Sequence, residues 1–157
     1  MPDNSFLHSL SGTTILLIDP RKEDRAYWAH RLTMSSPDCV VLEADTGAAG
    51  LAICRSQRVD CVLLELGLPD MSAIRTLLQL VPRARHPEIA VIIFTCLALY
   101  PMGDLAMKNG AQAFLVKSHI SGDQLINVIH KAIAAIPPTV KESSSSNGLY
   151  PPFSTTV

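Results

Sequence analysis

Residues 60–72 of the chain read DCVLLELGLPDMS, and this stretch decides the fold class. Its apolar residues 61–64 form a short unbroken run, which is typical of a parallel strand that is buried on both faces. An acidic residue, Glu65, follows the run directly. After a loop, Ser72 opens a helical pattern that stops before Pro82. The stretch therefore predicts one strand, loop and helix unit.

Similar units occur on both sides of this stretch. The apolar runs predict five strands, over residues 15–18, 39–42, 61–64, 90–94 and 113–116. The patterns between and after them predict five helices, over residues 21–34, 47–56, 72–81, 102–108 and 121–136. Strands that alternate with helices form a parallel sheet with right-handed crossovers and helices on both faces. The sequence thus predicts a three-layer, doubly wound α/β domain.

Three short motifs mark helix ends within this pattern. Thr46 suits the N-cap of the second helix. Ser121 and Gln124 have the spacing of a capping box at the start of the fifth helix. Asn109 followed by Gly110 is a C-cap signal for the fourth helix. Their positions support the predicted helix boundaries.

The two ends of the chain differ in composition from the middle. Residues 1–12 are polar and rich in turn formers, which predicts a loose arm. Residues 137–157 begin with two prolines and contain four consecutive serines. Such a segment cannot build a core, and we expect a disordered tail or a linker cut from a longer protein. The predicted domain covers residues 13–136.

Composition and charge exclude several classes of protein. The 157 residues are 48% apolar and 17% charged, which excludes a disordered chain and favours a densely buried core. With 13 basic and 14 acidic residues the net charge is −1, which argues against nucleic acid as a partner. The longest nearly uncharged stretch, residues 89–102, is too short to span a membrane, and the first residues do not resemble a signal peptide. We therefore expect a cytoplasmic protein.

The four cysteines have no spacing that is typical of a metal or redox site. Cys39, Cys61 and Cys96 lie in or beside apolar runs, and Cys54 lies in the second predicted helix. None forms a C-x-x-C pair. We interpret them as small core residues in a reducing compartment.

Four of the five apolar runs end in a single polar residue. These residues are Asp19, Glu65, Thr95 and Lys117. In a parallel sheet every strand points the same way, so the four side chains are expected at one edge, in the crevice where open α/β sheets bind ligands. In the strand order 2-1-3-4-5, the first and third strands are neighbours. This order places Asp19 beside Glu65.

This set of side chains has a chemistry of its own. Two adjacent carboxylates repel each other unless a cation lies between them. Lys117 is one candidate cation, and Mg²⁺ held by Asp19 and Glu65 is another. Thr95 adds a hydroxyl that can donate to an anion, so the set suits phosphoryl transfer or phosphoryl sensing. A structural ion pair, with Thr95 capping a helix, is the other interpretation.

With these residues placed, the chain resembles a receiver domain of bacterial two-component response regulators, the CheY-like phosphoacceptor module with a flavodoxin-like fold. The resemblance rests on ILLID at residues 15–19, on residues 60–72, on VIIFT at residues 91–95 and on GAQAFLVK at residues 110–117. It implies a phosphorelay signalling module, Mg²⁺-dependent phosphorylation of an aspartate by a histidine kinase, and a downstream output. Thr95 and Lys117 match the family pattern.

The chain departs from that pattern at the positions that matter most. The position equivalent to the phosphoacceptor is Glu65 instead of aspartate. Pro20 stands where the family usually has a second acid, so Mg²⁺ binding at Asp19 and Glu65 should weaken. Ala73 and Ser118 replace a common glycine and a common proline.

The glutamate suggests a specific hypothesis. Its extra methylene carries the carboxylate about 1.5 Å further outward, towards the place of a phosphoryl group on aspartate. Displacement of a reacting group on this scale costs roughly 10²-fold in rate, so phosphorylation should be slow or absent. From there Glu65 could reach Thr95 and Lys117 and imitate the phosphorylated state. We expect a pseudo-receiver that acts through protein contacts and is not an enzyme.

The resemblance also implies partners and alternatives. Expected partners are a histidine kinase or a downstream signalling protein, with homodimers through the face of the fourth helix, fifth strand and fifth helix, and no membrane or nucleic acid. A working phosphoacceptor is the first alternative. A flavodoxin-like binder of a small molecule is the second, although no glycine-rich phosphate loop follows the first strand.

Several other residues have two interpretations each. Asp70 is a substitute acceptor or a residue of helix-start chemistry. Phe114 is an aromatic switch beside the fifth strand or a plain core residue. His119, close to Lys117 in sequence, is either a residue for pH sensing or phosphoryl relay, or a residue without a functional role. Tyr27 and Trp28 are interpreted as packing residues, and the basic residues Arg83, Arg85 and His86 as a solvated turn.

Overall fold

The computed structural model describes residues 10–138 of the chain. Five strands and five α-helices alternate along it, and a short 3₁₀ turn follows the last strand. In chain order these elements are β1 Thr14–Ile18, α1 Lys22–Ser35, β2 Val40–Ala44, α2 Gly47–Ser56, β3 Cys61–Leu64, α3 Ala73–Leu80, β4 Ala90–Thr95, α4 Tyr100–Lys108, β5 Ala113–Val116, the 3₁₀ turn Lys117–His119 and α5 Gly122–Ala134.

The strands form one parallel sheet in the order β2-β1-β3-β4-β5. The predicted fold class and strand order are therefore confirmed. In the register Ile18 pairs with Leu64, and Thr95 pairs with Val116. The residues that follow these strands consequently meet at one edge of the sheet.

Alternation along the strands builds two cores, one on each face of the sheet. Ile15 and Leu17 face a core completed by residues of α1 and α5, such as Trp28 and Leu125. Leu16 and Ile18 face a second core that is completed by residues of α2, α3 and α4. Side chains that alternate by two positions explain why one apolar run supplies both cores. The three-layer arrangement follows directly.

Trp28 packs α1 against the sheet. Its ring is buried, and its centroid lies 4.8 Å from that of Phe94 in an edge-to-face arrangement. Tyr27 touches Trp28 in the same manner, with 5.0 Å between the ring centroids, but it is 55% exposed. The packing interpretation therefore holds for Trp28, whereas Tyr27 lies mainly on the surface.

Some predicted boundaries differ from the structure, and each difference has a physical reason. β2 is an edge strand in which only Ala44 is fully buried, so burial marks its bounds weakly, and the apolar run points to residues 39–42 instead of Val40–Ala44. α4 begins at Tyr100, two residues before the predicted start, because Pro101 is tolerated in the first turn of a helix. α5 ends at Ala134, two residues before the predicted end.

The packed part of the chain begins before residue 13. Leu10, predicted to lie in a loose arm, is buried in the core that contains Trp28. Its backbone N–H donates to Ser36 Oγ at 2.9 Å. Burial of this large apolar side chain in the core explains why the packed part of the chain extends to residue 10. The rest of the predicted arm, up to residue 9, and the predicted tail from residue 139 lie outside the described residues.

The predicted helix-end motifs are confirmed. Thr46 accepts a hydrogen bond from the Ala49 N–H, and Ser121 and Gln124 form both bonds of the capping box. Gly110 has a φ of +101°, the left-handed conformation that favours glycine after a helix. A Cβ atom there would lie 2.7 Å from Val81 Cγ1, so this close packing also requires glycine.

Candidate functional site

The sheet edge brings together the four residues that follow or end the strands. Asp19 and Glu65 follow β1 and β3, Thr95 ends β4, and Lys117 follows β5. All four side chains lie in contact through hydrogen bonds or ion pairs. The predicted cluster therefore exists. It is largely buried, since the side chains of Asp19 and Lys117 are 8% exposed and that of Glu65 is 4% exposed.

Glu65 reaches across the crevice in the predicted direction. Its Oε1 accepts hydrogen bonds from the Thr95 hydroxyl and from the Leu66 N–H, the latter at 2.8 Å. Its Oε2 lies 3.0 Å from Lys117 Nζ and accepts the Cys96 N–H at 3.3 Å. Both carboxylate oxygens are therefore engaged, by donors from the end of β4, the loops after β3 and β4, and the residue after β5.

Lys117 is the centre of the site. Its ammonium contacts Asp19 Oδ2, lies 3.0 Å from Asp24 Oδ2, and lies 3.0 Å from Glu65 Oε2. Burial acts to lower the pKa of Lys117, but the hydrogen bonds to Asp19, Glu65 and Asp24 outweigh it and raise the pKa to about 12. The ammonium therefore stays charged and holds three carboxylates together.

Two residues of this site lie on the first helix and were not predicted from the sequence. Asp24 of α1 completes the contacts of Lys117, and Arg25 donates to the Asp19 carbonyl at 2.6 Å. Arg25 Nε also lies 3.3 Å from Glu43 Oε1, in an ionic contact that lacks hydrogen-bond geometry. The contact between Asp24 and Lys117 joins residues 93 positions apart. The only signal in the sequence was the concentration of charge just after Asp19.

The carboxylate oxygens of the crevice are not arranged as ligands of a magnesium ion. Asp19 Oδ1 accepts the Arg21 N–H at 2.8 Å, and Asp19 Oδ2 accepts from Lys117. The oxygens of Glu65 are engaged as well, and Pro20 supplies no side-chain ligand. Within residues 10–138, no group of three or more histidines, cysteines and acidic residues is placed to hold a metal ion. An incoming cation would have to displace Lys117 from these carboxylates.

Asp70 takes part in helix-start chemistry, but at a helix far back in the chain. Its carboxylate accepts the N–H groups of Gly47 and Ala48, both at 2.9 Å, at the start of α2. These two bonds lower the pKa of Asp70 below its usual 3.8. Its own helix, α3, is capped instead by Ser72, which accepts the Arg75 N–H. Asp70 thus ties the loop after β3 to α2.

Replacing Asp70 with alanine is expected to lower the thermal unfolding midpoint, because two N–H groups at the start of α2 lose their acceptor. A carboxyl whose pKa is lower in the folded state stabilises above pH 3.8, and this contribution disappears as the pH falls through the folded pKa. The difference between wild type and variant should therefore shrink in acid. Circular dichroism melts across the acid range measure it. Asp38→Ala, at an exposed aspartate, is the control, and an equal midpoint for Asp70→Ala and wild type at neutral pH would contradict the expectation.

A groove lies on the side of the molecule formed by α4, β5 and α5. It has a volume of about 460 Å³, and Phe114, His119 and Asn127 are among its lining residues. Phe114 packs against α4, where a Cβ atom on Gly103 would lie 2.8 Å from the ring. The Phe114 and Tyr100 ring centroids are 6.2 Å apart. His119 lines this groove and makes none of the contacts of the crevice.

The cysteines and the basic turn are separate from the site, with one exception. Cys39 and Cys61 are buried and Cys54 is partly buried, and burial raises the pKa of all three thiols. Cys96 is exposed at the rim of the crevice, so the core interpretation is wrong for this residue; it follows the last residue of β4 and its side chain points outward.

The turn with Arg83, Arg85 and His86 is exposed. No helix among residues 10–138 is long and apolar enough to cross a membrane.

Comparisons with known proteins agree with this architecture. The chain matches the model of the response regulator receiver domain over residues 15–130. The nitrate/nitrite response regulator protein NarL of Escherichia coli is 30% identical over 121 residues, which cover 77% of this chain and 55% of NarL. The chain therefore spans about half the length of this relative.

Two further comparisons involve proteins of similar size to the domain. The chemotaxis protein CheY of Listeria monocytogenes is 29% identical over 93 residues, covering 59% of this chain and 76% of CheY. The crystal structure of a response regulator receiver domain protein from Clostridium thermocellum has 27% identity and a TM-score of 0.69, covering 78% of this chain and 94% of that one. The chain belongs to the response regulator receiver domain family.

Proposed function

We propose that this receiver domain signals through protein contacts without being phosphorylated, and that Glu65 is a built-in substitute for the phosphorylated acceptor. The observation that carries the proposal is the engagement of both Glu65 oxygens by Thr95, Lys117 and two backbone N–H groups. These are donors suited to the oxygens of an anion. The glutamate itself supplies that anion.

Burial makes the same carboxylate a poor nucleophile. An attack on phosphorus needs an oxygen with a free lone pair in line with the bond that breaks. The Glu65 side chain is only 4% exposed, and each of its oxygens already accepts two donors. Attack would require Glu65 to leave Thr95 and Lys117, which would leave the ammonium with two carboxylates instead of three.

Thr95 connects the glutamate to the loop before α4. The Thr95 hydroxyl donates to Glu65 and also accepts the Leu97 N–H at 3.1 Å. The position of Glu65 thereby fixes the start of the loop that leads to Tyr100 and α4. We propose that this connection holds the surface of α4, β5 and α5 in one state, and that this surface is the output face.

The proposal includes the partners and the location of the protein. A histidine kinase or a downstream signalling protein would dock on the receiver, and a homodimer would form through the face of α4, β5 and α5. We propose a cytoplasmic module that has no catalytic turnover of its own and does not bind nucleic acid. Mg²⁺ binding would be weak, because Lys117 already occupies the carboxylates of Asp19 and Glu65.

Incubation with acetyl phosphate and Mg²⁺, followed by intact-mass measurement, tests the proposal. We expect no stoichiometric phosphoryl adduct on the wild-type chain. An Asp70→Asn variant serves as the control, because an adduct that it loses would identify Asp70 as a substitute acceptor. A stoichiometric adduct that maps to Glu65 would overturn the proposal and establish a working phosphoacceptor.

A further inference from the structure

We propose that the end of the domain opposite the crevice binds an acidic segment of a partner protein. The place is a groove at the amino ends of β3 and β4, beside the last turns of α2 and α3. It consists of two hollows that share Leu80 and Glu88 as lining residues and have volumes of about 310 and 340 Å³. We call it the amino-end groove. The crevice, by contrast, occupies the carboxyl ends of the strands.

The two segments that border the amino-end groove carry an excess of positive charge. Residues 55–60 and 82–89 together contain four arginines and two carboxylates, a net charge of +2, whereas the whole chain has a net charge of −1. The carbonyl ends of α2 and α3 add about half a negative charge each. The charge balance at this end of the domain therefore stays positive, which favours an anionic partner.

Most of this positive charge has no partner within the domain. Arg58 pairs with Asp60, with 3.1 Å between Nε and Oδ1. Arg55, Arg83 and Arg85 are exposed and make no ion pair in the part of the chain that the structure describes. A guanidinium group binds a carboxylate through two parallel hydrogen bonds. Three such groups are therefore available to carboxylates from outside.

The floor of the amino-end groove decides what kind of anion fits. Leu51 and Val59 are buried beneath it, and Leu80 and Ile89 are half-buried in its wall. A nucleic-acid backbone would present phosphates to these apolar side chains and to the carboxylate of Glu88, and a flat membrane surface cannot enter a concave groove. A peptide in which acidic and apolar side chains alternate matches both the arginines and the floor.

Fluorescence anisotropy of a labelled peptide of alternating glutamate and leucine tests the proposal on the full chain. We expect saturable binding to the wild type. Arg55→Glu combined with Arg83→Glu should weaken binding at least about 10-fold, because two contacts then join like charges. Glu88→Gln should strengthen binding about 2- to 10-fold, since it removes a carboxylate that lines both hollows and repels the peptide.

The control combines Lys22→Glu with Arg75→Glu, an equal charge change at exposed residues near the amino ends of α1 and α3, and it should bind like the wild type. A wild-type chain that does not bind the peptide overturns the proposal. Binding that Arg55→Glu with Arg83→Glu leaves unchanged overturns it as well.

Two further arms complete the test. Where the first double variant melts below the wild type, Arg83→Glu with Arg85→Glu replaces it, because both residues lie in a turn outside the helices and should weaken binding to the same extent. Single-stranded RNA and phosphatidylserine vesicles are titrated in parallel with the peptide. Tighter binding of either one, lost in the same variants, would assign the groove to another class of partner and overturn the proposal.

Discussion

Replacing Lys117 with methionine is expected to lower the free energy of unfolding at pH 7 by about 3–5 kcal/mol. Methionine keeps most of the apolar stem but removes the ammonium from three carboxylates. Two of these, on Asp19 and Glu65, would remain buried without their cation, and an uncompensated buried charge is costly. Domains of this size are stabilised by only about 5–15 kcal/mol in total, so the loss would be a large part of the stability.

Urea denaturation of both proteins measures the effect of Lys117→Met. Lys131→Met, at an exposed lysine of α5, is the matched control and should change stability by less than about 0.5 kcal/mol. A loss for Lys117→Met no larger than that of the control would show that the ammonium does not hold the crevice together.

The pH dependence of the same comparison follows from the pKa of Lys117, which is raised in the folded protein from 10.5 to about 12. A group with a raised folded pKa contributes stability that is complete below its unfolded pKa and is lost as the pH rises through its folded pKa. The stability difference between wild type and Lys117→Met should therefore be constant up to about pH 10 and decrease towards pH 12. The decrease corresponds to roughly 2 kcal/mol. A difference that stays flat through this range would contradict the assignment.

The paired substitution Pro20→Asp and Glu65→Asp is expected to create a phosphorylatable receiver. The shorter side chain at position 65 withdraws the carboxylate from Thr95 and Lys117, and the new aspartate at position 20 adds a carboxylate beside Asp19. We expect adduct formation from acetyl phosphate with Mg²⁺ to be at least about 10²-fold faster than in the wild type. Glu65→Asp alone should recover only part of this rate, because Pro20 still supplies no ligand.

Intact mass spectrometry gives the adduct, and the fluorescence of Trp28 gives an independent reading of cation binding. Trp28 is the only tryptophan of the chain and lines a small cavity together with Asp19 and Asp24. Titration with Mg²⁺ should change the fluorescence of the double variant more than that of the wild type. Pro20→Asp alone is the control, and it should form no adduct because Glu65 is unchanged. An unmodified double variant would show that the glutamate is not what prevents phosphorylation.

The buried half of the fold could be predicted from sequence because its strands are unbroken apolar runs. β1, β3 and β4 lie inside the sheet, where both faces are covered, and the runs at residues 15–18, 61–64 and 90–94 follow these strands to within one residue. β2 could not be placed as well, since only Ala44 of this strand is fully buried and its apolar run is displaced towards the buried Cys39. Start positions of helices without a side-chain cap, such as α4, carry little sequence signal.

The site could be predicted where topology alone decides the position. Asp19, Glu65, Thr95 and Lys117 were expected at one sheet edge because every parallel strand ends there, and the contacts of Glu65 followed from the length of its side chain. Asp24 could not be foreseen, because its contact depends on the angle at which α1 packs on the sheet. The partners of Asp70 could not be foreseen either, since the first residues of α2 precede it by more than twenty positions and meet it only through the packing of the fold.

The contacts of Lys117 set a limit on what can enter the crevice. A protonated amine has three hydrogens to offer. Asp19, Asp24 and Glu65 each accept one of these hydrogens, so the ammonium has no hydrogen left for a fourth acceptor. Inorganic phosphate, sulfate or an acidic peptide from solution can bind this ammonium only by displacing one of these three carboxylates. The domain is in this way insulated from the anions that surround it.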